Sequence, residues 1–195
     1  LFLLDRVTGK PIYEVTEIPV PPGTAPDEQA APTQPFPSKP GVLTRMTFDM
    51  SELAQLTPEH TAACAAMAAR DGGAVGSTMF EPLRADRPQI RFPGGAGGVE
   101  WGGAAFDPKN GLLVFAANQI GYMEKLVKGA NGEWAYTGGR FVDPATRAPC
   151  QKPPWGELIA VNVNTGEVAW RSVLGVTDSF PAGKQLTGRP ANGGP

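Results

Sequence analysis

The chain is poor in histidine, net charge and long hydrophobic runs, and each shortage excludes a class of function. Its 195 residues include one histidine, His60, so a histidine-rich metal site is excluded. The formal net charge is −2, with acidic and basic residues interspersed, so the sequence predicts no nucleic-acid partner and no electrostatic membrane anchor. No apolar run approaches the roughly 18 residues that a membrane-spanning helix needs.

Cysteine is scarce as well. The chain has two cysteines, Cys64 and Cys150, and their spacing fits no zinc motif. From these residues alone a disulfide, which would indicate an oxidising compartment, and two buried thiols remain equally open. His60 lies in the segment TPEHTAACAAMAAR, where we expect it to be an exposed helical side chain rather than a catalytic base.

Glycine and proline are abundant, with 25 and 21 residues, yet 41% of the chain is hydrophobic. This combination is typical of a loop-rich β protein rather than of a disordered chain. A single helix is predicted near 57–70, because Thr57 is a suitable N-cap, Pro58 fits the first helical position and Asp71-Gly72-Gly73 ends the pattern. The proline-rich stretch 17–41 is expected to run as an extended, polyproline-like connection.

A short sequence motif occurs three times, in the segments LFLLDRVTGKPIY, AAFDPKNGLLVF and AVNVNTGEVAW. Asp or Asn can hydrogen-bond the backbone two residues on, and the glycine four positions later supplies the positive φ of a tight turn, so each copy predicts a hairpin. Three unrelated turns of a common type remain the alternative. The copies align residues Leu3, Asp5, Thr8, Gly9 and Tyr13 with Ala105, Asp107, Asn110, Gly111 and Phe115, and with Ala160, Asn162, Thr165, Gly166 and Trp170.

Repeated hairpins with a recurrent aromatic are typical of propeller blades. We interpret 101–118 and 156–174 as the two hairpins of one blade. The whole chain is then divided into the end of one blade (1–13), a long connection with the helix (14–98), a blade with an insertion at 121–153 (99–175), and a lead into the next blade (176–195).

Five segments in a fixed order carry a resemblance to a known family. They are LFLLDRVTGKP, PTQPFP, GVEWGGAAFDP, the strand ending in AANQIG, and PCQKPPWGELIAVNVNTGEVAWRSVLG. This chain resembles the pyrroloquinoline quinone (PQQ) dependent dehydrogenases, and most closely the membrane-bound glucose and quinate or polyol dehydrogenase branch. Asn162 stands where the family's tryptophan-docking motif usually has Asp. The resemblance implies an all-β fold, an eight-bladed propeller of four-stranded antiparallel sheets, of which this chain is expected to be an internal fragment of about two blades with one short helix in an insertion.

The resemblance also implies a reaction. A hydride passes from a sugar or polyol hydroxyl to PQQ beside a calcium or magnesium ion, and the electrons then pass to ubiquinone or cytochrome c. The expected location is the periplasm, either anchored to the inner membrane through an N-terminal region outside this chain or soluble. The catalytic Asp is expected outside the chain, so no catalytic residue and no metal ligand is predicted within it. The competing hypothesis is a non-catalytic propeller scaffold of the outer-membrane assembly type.

Asn118, at the end of the strand LLVFAAN, corresponds to a family residue that contacts the cofactor. Trp101, Glu100 and Trp155 are further candidates, although both tryptophans also suit packing between blades. Asp5, Asp107 and Asp143 are predicted to be turn residues rather than catalytic groups. The family comparison favours a disulfide between Cys64 and Cys150, and it assigns a structural docking role to Ala160, Asn162, Thr165, Gly166 and Trp170.

Overall fold

A computed structural model describes residues 1–191 and 193–195, and within them the chain forms three antiparallel sheets and one α-helix. The strands are β1 (Val15–Pro19), β2 (Thr33–Pro37), β3 (Gln89–Arg91), β4 (Gly98–Asp107), β5 (Leu112–Asn118), β6 (Tyr122–Lys128), β7 (Trp134–Arg140), β8 (Gly156–Asn162) and β9 (Glu167–Val173). The helix α1 spans Pro58–Ala68, and 3-10 turns span Met50–Glu52 and Arg70–Gly72. The predicted all-β class with one short helix is confirmed.

The largest sheet has four strands in the order β4-β5-β8-β9. Its two hairpins, β4–β5 and β8–β9, are joined by antiparallel pairing of the central strands, with Phe115 opposite Ile159. The apolar side chains of the central strands form a core cluster with Leu43, which fits the burial expected of inner strands. Assignment of these hairpins and of the flanking segments to numbered blades stays a prediction.

The insertion 121–153 contributes two strands to a separate sheet. The hairpin β6–β7 pairs with β3 to make a three-stranded sheet in the order β3-β6-β7. Helix α1 packs against this sheet through a second core cluster, which contains Phe48, Cys64, Ala68, Ile90, Phe92, Met123, Phe141 and Cys150. Sequence patterns gave no sign of this sheet, because β7 is exposed along nearly its whole length and shows no apolar alternation.

Helix α1 begins at the predicted place, since the Thr57 hydroxyl accepts a hydrogen bond from the backbone N–H of His60 at 3.2 Å. The expectation that His60 is exposed is wrong, because its side chain is buried. His60, Cys64 and Ala68 recur every four residues, so they share one helical face, and that face is the one that packs on the core. This packing brings Cys64 close to Cys150, and a disulfide joins the two cysteines with a Cα–Cα distance of 5.2 Å.

The proline-rich stretch differs from the expected polyproline-like connection. Strands β1 and β2 pair across it as a two-stranded antiparallel sheet, with Val15 opposite Pro37 and Pro19 opposite Thr33. Both strands are edge strands, where a proline without an N–H is tolerated because one side of the strand needs no ladder bond. Among the described residues no helix is long and apolar enough to cross a membrane.

Candidate functional site

The candidate site lies where β5 ends and its partner β4 is irregular. Val99 pairs with Ala117 and Ala104 pairs with Phe115, so the four residues 100–103 of β4 lie opposite Ala116 alone. This large bulge contains Glu100 and Trp101 and is made possible by the left-handed backbone of Gly103, whose φ is +76°. Bulges of this kind redirect side chains next to functional sites.

Asn118 is the last residue of β5 and its side chain is buried. Its amide Nδ2 donates to Glu100 Oε1 at 3.2 Å and to the backbone oxygen of Ala191 at 3.0 Å, while its Oδ1 accepts from the backbone N–H of Ala191 at 2.8 Å. Both amide hydrogens therefore have acceptors, and Oδ1 keeps one lone pair. The structure thus brings Asn118 and Glu100 together and orients the amide completely.

The two tryptophan candidates lie in different environments. The Trp101 side chain is 87% exposed on the bulge, whereas that of Trp155 is 1% exposed. The Trp155 indole donates to the backbone oxygen of Gln151 at 2.8 Å, and its ring packs against Phe180 with the ring centroids 5.8 Å apart. Trp155 is thus enclosed by its own core cluster, and Trp101 presents a flat aromatic face that other atoms can cover.

Residues 187–191 and 193–194, near the C-terminus, cross this end of the four-stranded sheet, and we call them the C-terminal strap. The strap is attached by backbone hydrogen bonds from Trp155 N to Thr187 O at 2.7 Å and from Arg189 N to Leu174 O at 2.6 Å. It approaches the sheet so closely that a methyl group on Gly156 would overlap Arg189 O, and one on Gly102 would overlap the backbone of Gly194. The strap holds the Ala191 peptide against Asn118.

Sequence patterns missed the strap, since the segment TGRPANGGP is rich in glycine and proline and has no apolar periodicity. The one sequence feature that indicates close packing is the presence of glycines in the strap, which lie against glycines of the sheet that the strap crosses. A pairing of this type cannot be found from local periodicity, because the two partners are far apart in the chain.

The docking motif has a clear role in one copy. The Tyr13 ring of the first copy lies on Gly166 of the third copy, and its hydroxyl donates to the backbone oxygen of Val163 at 3.2 Å. The aromatic residue therefore covers the next turn, where a side chain at Gly166 would collide with the ring. Phe115, at the matching position of the second copy, is instead a core residue of a central strand, and Trp170 is partly exposed on β9.

The aspartates predicted to be turn residues form Asx turns. Asp5 accepts from the N–H of Thr8 at 2.7 Å, Asp107 from that of Lys109 at 2.9 Å, and Asp143 from that of Ala145 at 2.9 Å. The Thr8 hydroxyl and backbone lower the pKa of Asp5, and the Asn110 amide is the main cause of the lowered pKa of Asp107. Each carboxylate is held by hydrogen bonds within its own turn.

Burial alone would raise the pKa of Asp143, but other contacts outweigh burial. The Thr146 hydroxyl donates to Oδ2 at 2.6 Å, the Ala145 N–H donates to Oδ1, and the nearby His60 adds a favourable charge interaction. The pKa of Asp143 is therefore held below its ordinary value. Asn162 makes the corresponding turn without a charge, since its Oδ1 accepts from the N–H of Asn164 at 3.0 Å.

The fold and the site together define a class. A four-stranded antiparallel sheet, closed at its outer turn by an aromatic residue from another repeat and bulged at the opposite edge, is a propeller-type sheet.

Comparison with known proteins identifies the family. The family model for the β-propeller domain of PQQ-dependent glucose, ethanol and alcohol dehydrogenases matches residues 1–195. The chain belongs to this family, so the sheets described here are part of a PQQ-type β-propeller.

Similar proteins include the quinate/shikimate dehydrogenase (quinone) of Acinetobacter baylyi, with 30% identity over all of this chain and 27% of the relative. The glycerol dehydrogenase large subunit of Gluconobacter thailandicus is also 30% identical, over 99% of this chain and 31% of that subunit. The quinoprotein glucose dehydrogenase of Escherichia coli is 28% identical over 93% of this chain and 25% of that enzyme. This chain thus spans roughly a quarter to a third of the length of the curated relatives that it matches.

Proposed function

We propose that the protein containing this chain is a PQQ-dependent dehydrogenase that oxidises a hydroxyl group of a sugar or polyol. The observation that carries the proposal is the pairing of buried Asn118 with Glu100 beside the exposed ring of Trp101, at the end of a sheet that belongs to the PQQ family. The relatives named for quinate, glycerol and glucose support a polyhydroxylated substrate.

The residues of the site fit an oxygen-binding cation between protein and cofactor. Asn118 Oδ1 has a lone pair to spare, and the second oxygen of Glu100 accepts no hydrogen bond among the described residues. Carbonyl and carboxylate oxygens are the ligands that Ca²⁺ and Mg²⁺ prefer. We propose that Asn118 and Glu100 face such a cation, which also offsets the repulsion between the Glu100 carboxylate and the carboxylates of PQQ.

When bound, PQQ supplies the electron-accepting quinone for oxidation of the alcohol carbon. The residues of this chain bind and orient it: Asn118 is fixed by Ala191, and the Trp101 ring provides an apolar surface that excludes water. The proton acceptor is proposed to be an Asp outside this chain. We further propose that the protein works in the periplasm, anchored to the inner membrane or soluble, and passes electrons to ubiquinone or cytochrome c.

The test uses the complete protein that contains this chain, reconstituted with PQQ and Ca²⁺ and assayed for dye reduction with glucose, quinate and glycerol. We expect activity that requires PQQ. Asn118→Ala should reduce it by about tenfold or more, because a hydrogen bond to a charged group contributes about 1.5–3 kcal/mol. The matched control is Asn131→Ala, which removes an exposed asparagine from the β6–β7 turn and should leave activity unchanged. A folded protein that reduces no dye with any substrate, with or without PQQ, would contradict the proposal.

A further inference from the structure

A groove of about 920 Å³ lies between the end of helix α1 and the β6–β7 hairpin, away from the proposed cofactor residues. Cationic side chains line it from four separate segments: Arg70 from the turn after α1, Lys125 from β6, Arg140 from the end of β7, and Arg147 from the loop before β8. This concentration of positive charge occurs in a chain whose net charge is −2.

The positive charge of the groove is not neutralised by the described part of the chain. None of the four cations forms an ion pair there. Two carboxylates also line the groove, but Glu124 is buried and already binds Arg91, with its Oε2 2.6 Å from the Arg91 Nε. Asp71 alone remains to balance four cations. A concave surface with a surplus of one sign of charge concentrates ligands of the opposite charge.

The backbone of the groove is held in an uncommon conformation. Asp71 and Arg147 have φ values of 52° and 64°, and they are two of the three non-glycine residues with positive φ in the described chain. Such a conformation costs on the order of 1–3 kcal/mol for each residue and is concentrated at ligand sites. Both residues line the groove.

The two strained segments are joined covalently. Cys64 precedes Arg70 on the helix side, Cys150 follows Arg147 on the loop side, and the disulfide connects them. The disulfide therefore ties together the two backbone segments that carry Arg70 and Arg147. Guanidinium groups suit a carboxylate, because each group presents parallel N–H donors that match two carboxylate oxygens.

We propose that this groove binds a small organic anion whose recognised group is a carboxylate, with hydroxyl groups that meet Thr137 and the other polar lining. The chemistry is that of a polyol acid. The site is separate from the hydride-transfer chemistry proposed above, and its occupancy requires neither PQQ nor a divalent cation.

The test is calorimetric titration of the complete protein, free of PQQ, with gluconate and with glucitol, which has the same carbon chain but no carboxylate. We expect gluconate to bind and glucitol not to bind. Gluconate affinity should fall as ionic strength rises, because added salt screens charges at an exposed site. It should also fall by about tenfold or more in the variant Arg140→Gln/Arg147→Gln, since charge-assisted hydrogen bonds are lost.

The matched control is Arg6→Gln/Lys109→Gln, which removes the same charge from exposed turns outside the groove. Thermal unfolding of both double variants establishes that they fold. Equal affinity for gluconate and glucitol, an unchanged affinity in the groove variant, or an equal loss in the control would overturn the proposal. Inorganic phosphate binding as tightly as gluconate would do the same, since it would indicate a general anion surface. If the complete protein binds gluconate as predicted but shows no dye-linked activity, the result would support the anion site in the groove and would count against the proposed dehydrogenase function.

Discussion

At the scale of single residues, the distance in sequence to the hydrogen-bond partner distinguishes site residues from turn residues. Asn118 bonds a side chain and a peptide that are far away in sequence, Glu100 and Ala191, whereas Asp5, Asp107 and Asp143 bond groups two or three positions on. Local bonds of the second type stabilise turns and commit the carboxylate to them. Asn118 therefore stands out from the polar residues of the repeats by its long-range partners.

Asp143 provides a prediction about pH. Its folded-state pKa lies below the ordinary value of an aspartate, so its stabilising effect is present above the unfolded-state pKa and is lost as the pH falls through the folded-state pKa. Asp143→Asn should therefore lower the free energy of unfolding at pH 7 by about 1–3 kcal/mol, and the difference from the natural protein should shrink as the pH falls below about 4. Urea unfolding between pH 7 and pH 3 measures this change.

The control for this prediction is Asp178→Asn, an exposed aspartate whose carboxylate makes no hydrogen bond within the described residues. It should change stability little at any pH. A loss for Asp143→Asn that stays constant from pH 7 to pH 3 would contradict the account, because the effect would then not depend on ionisation.

Prediction from sequence succeeds for residues whose structural role depends on their neighbours in the chain. The turn roles of Asp5, Asp107 and Asp143 follow from Asx chemistry and were predicted correctly. His60 was placed wrongly on the surface, because a helix of mostly small residues has little amphipathic signal to show which face is buried. The partner of Asn118, the peptide of Ala191, could not be predicted, since it is brought there only by tertiary structure.

At the scale of elements, close approach of backbones holds the C-terminal strap on the sheet. A side chain on Gly188 would overlap the carbonyl group of Gly156, and a side chain on Gly156 would overlap that of Arg189. The strap in turn positions Ala191 at Asn118. The strap contains no regular strand. Its packing on the sheet is nevertheless expected to control the geometry of the site at Asn118.

A substitution in the sheet tests this role. Gly156→Ala should destabilise the protein by about 1–3 kcal/mol, because the added methyl group overlaps Arg189 O and the strap must move. PQQ affinity should fall with it. Gly139→Ala is the control, since nothing lies within 4 Å of the added methyl group there. Equal stability and equal PQQ affinity for the two variants would show that the strap does not depend on this contact.

The disulfide provides the second prediction at this scale. It joins α1 to the loop after β7 and closes a long stretch of chain, with a sequence separation of 86. Its removal by Cys64→Ala/Cys150→Ala should cost about 2–5 kcal/mol of unfolding free energy, chiefly because the unfolded chain gains freedom. Denaturant unfolding measures the loss, and Cys64→Ala alone should cost nearly as much as the double change. A double variant as stable as the natural protein would contradict the account.

Elements were predicted where the pattern was strong. The hairpins around the repeated sequence motif were predicted from the turn glycines. The start of α1 at Pro58 was predicted from the capping threonine, Thr57. The sheet β3-β6-β7 was not predicted, because its outer strand is exposed and its inner strand pairs with residues before the insertion. The bulge at 100–103 contains Gly102 and Gly103, but the effect of these glycines on the strand register could not be deduced from sequence.

At the scale of the whole molecule, the chain leaves large apolar side chains in solvent. Phe106 and Val7 are examples, and Trp170 is partly exposed on the outermost strand. Repeat proteins bury such faces against neighbouring repeats. The chain covers 27% of its quinate/shikimate dehydrogenase relative, and we propose that further blades of the same protein cover these faces.

The most direct test of the central claim is an equilibrium titration of PQQ into the complete protein in the presence of Ca²⁺, monitored by protein fluorescence. The account predicts saturable binding of one PQQ for each protein, weakened by removal of Ca²⁺ with a chelator and weakened about tenfold or more by Asn118→Ala. A well-folded protein that binds no PQQ, or one in which Asn118→Ala leaves the affinity unchanged, would contradict the account. The first of these results would favour a non-catalytic propeller scaffold.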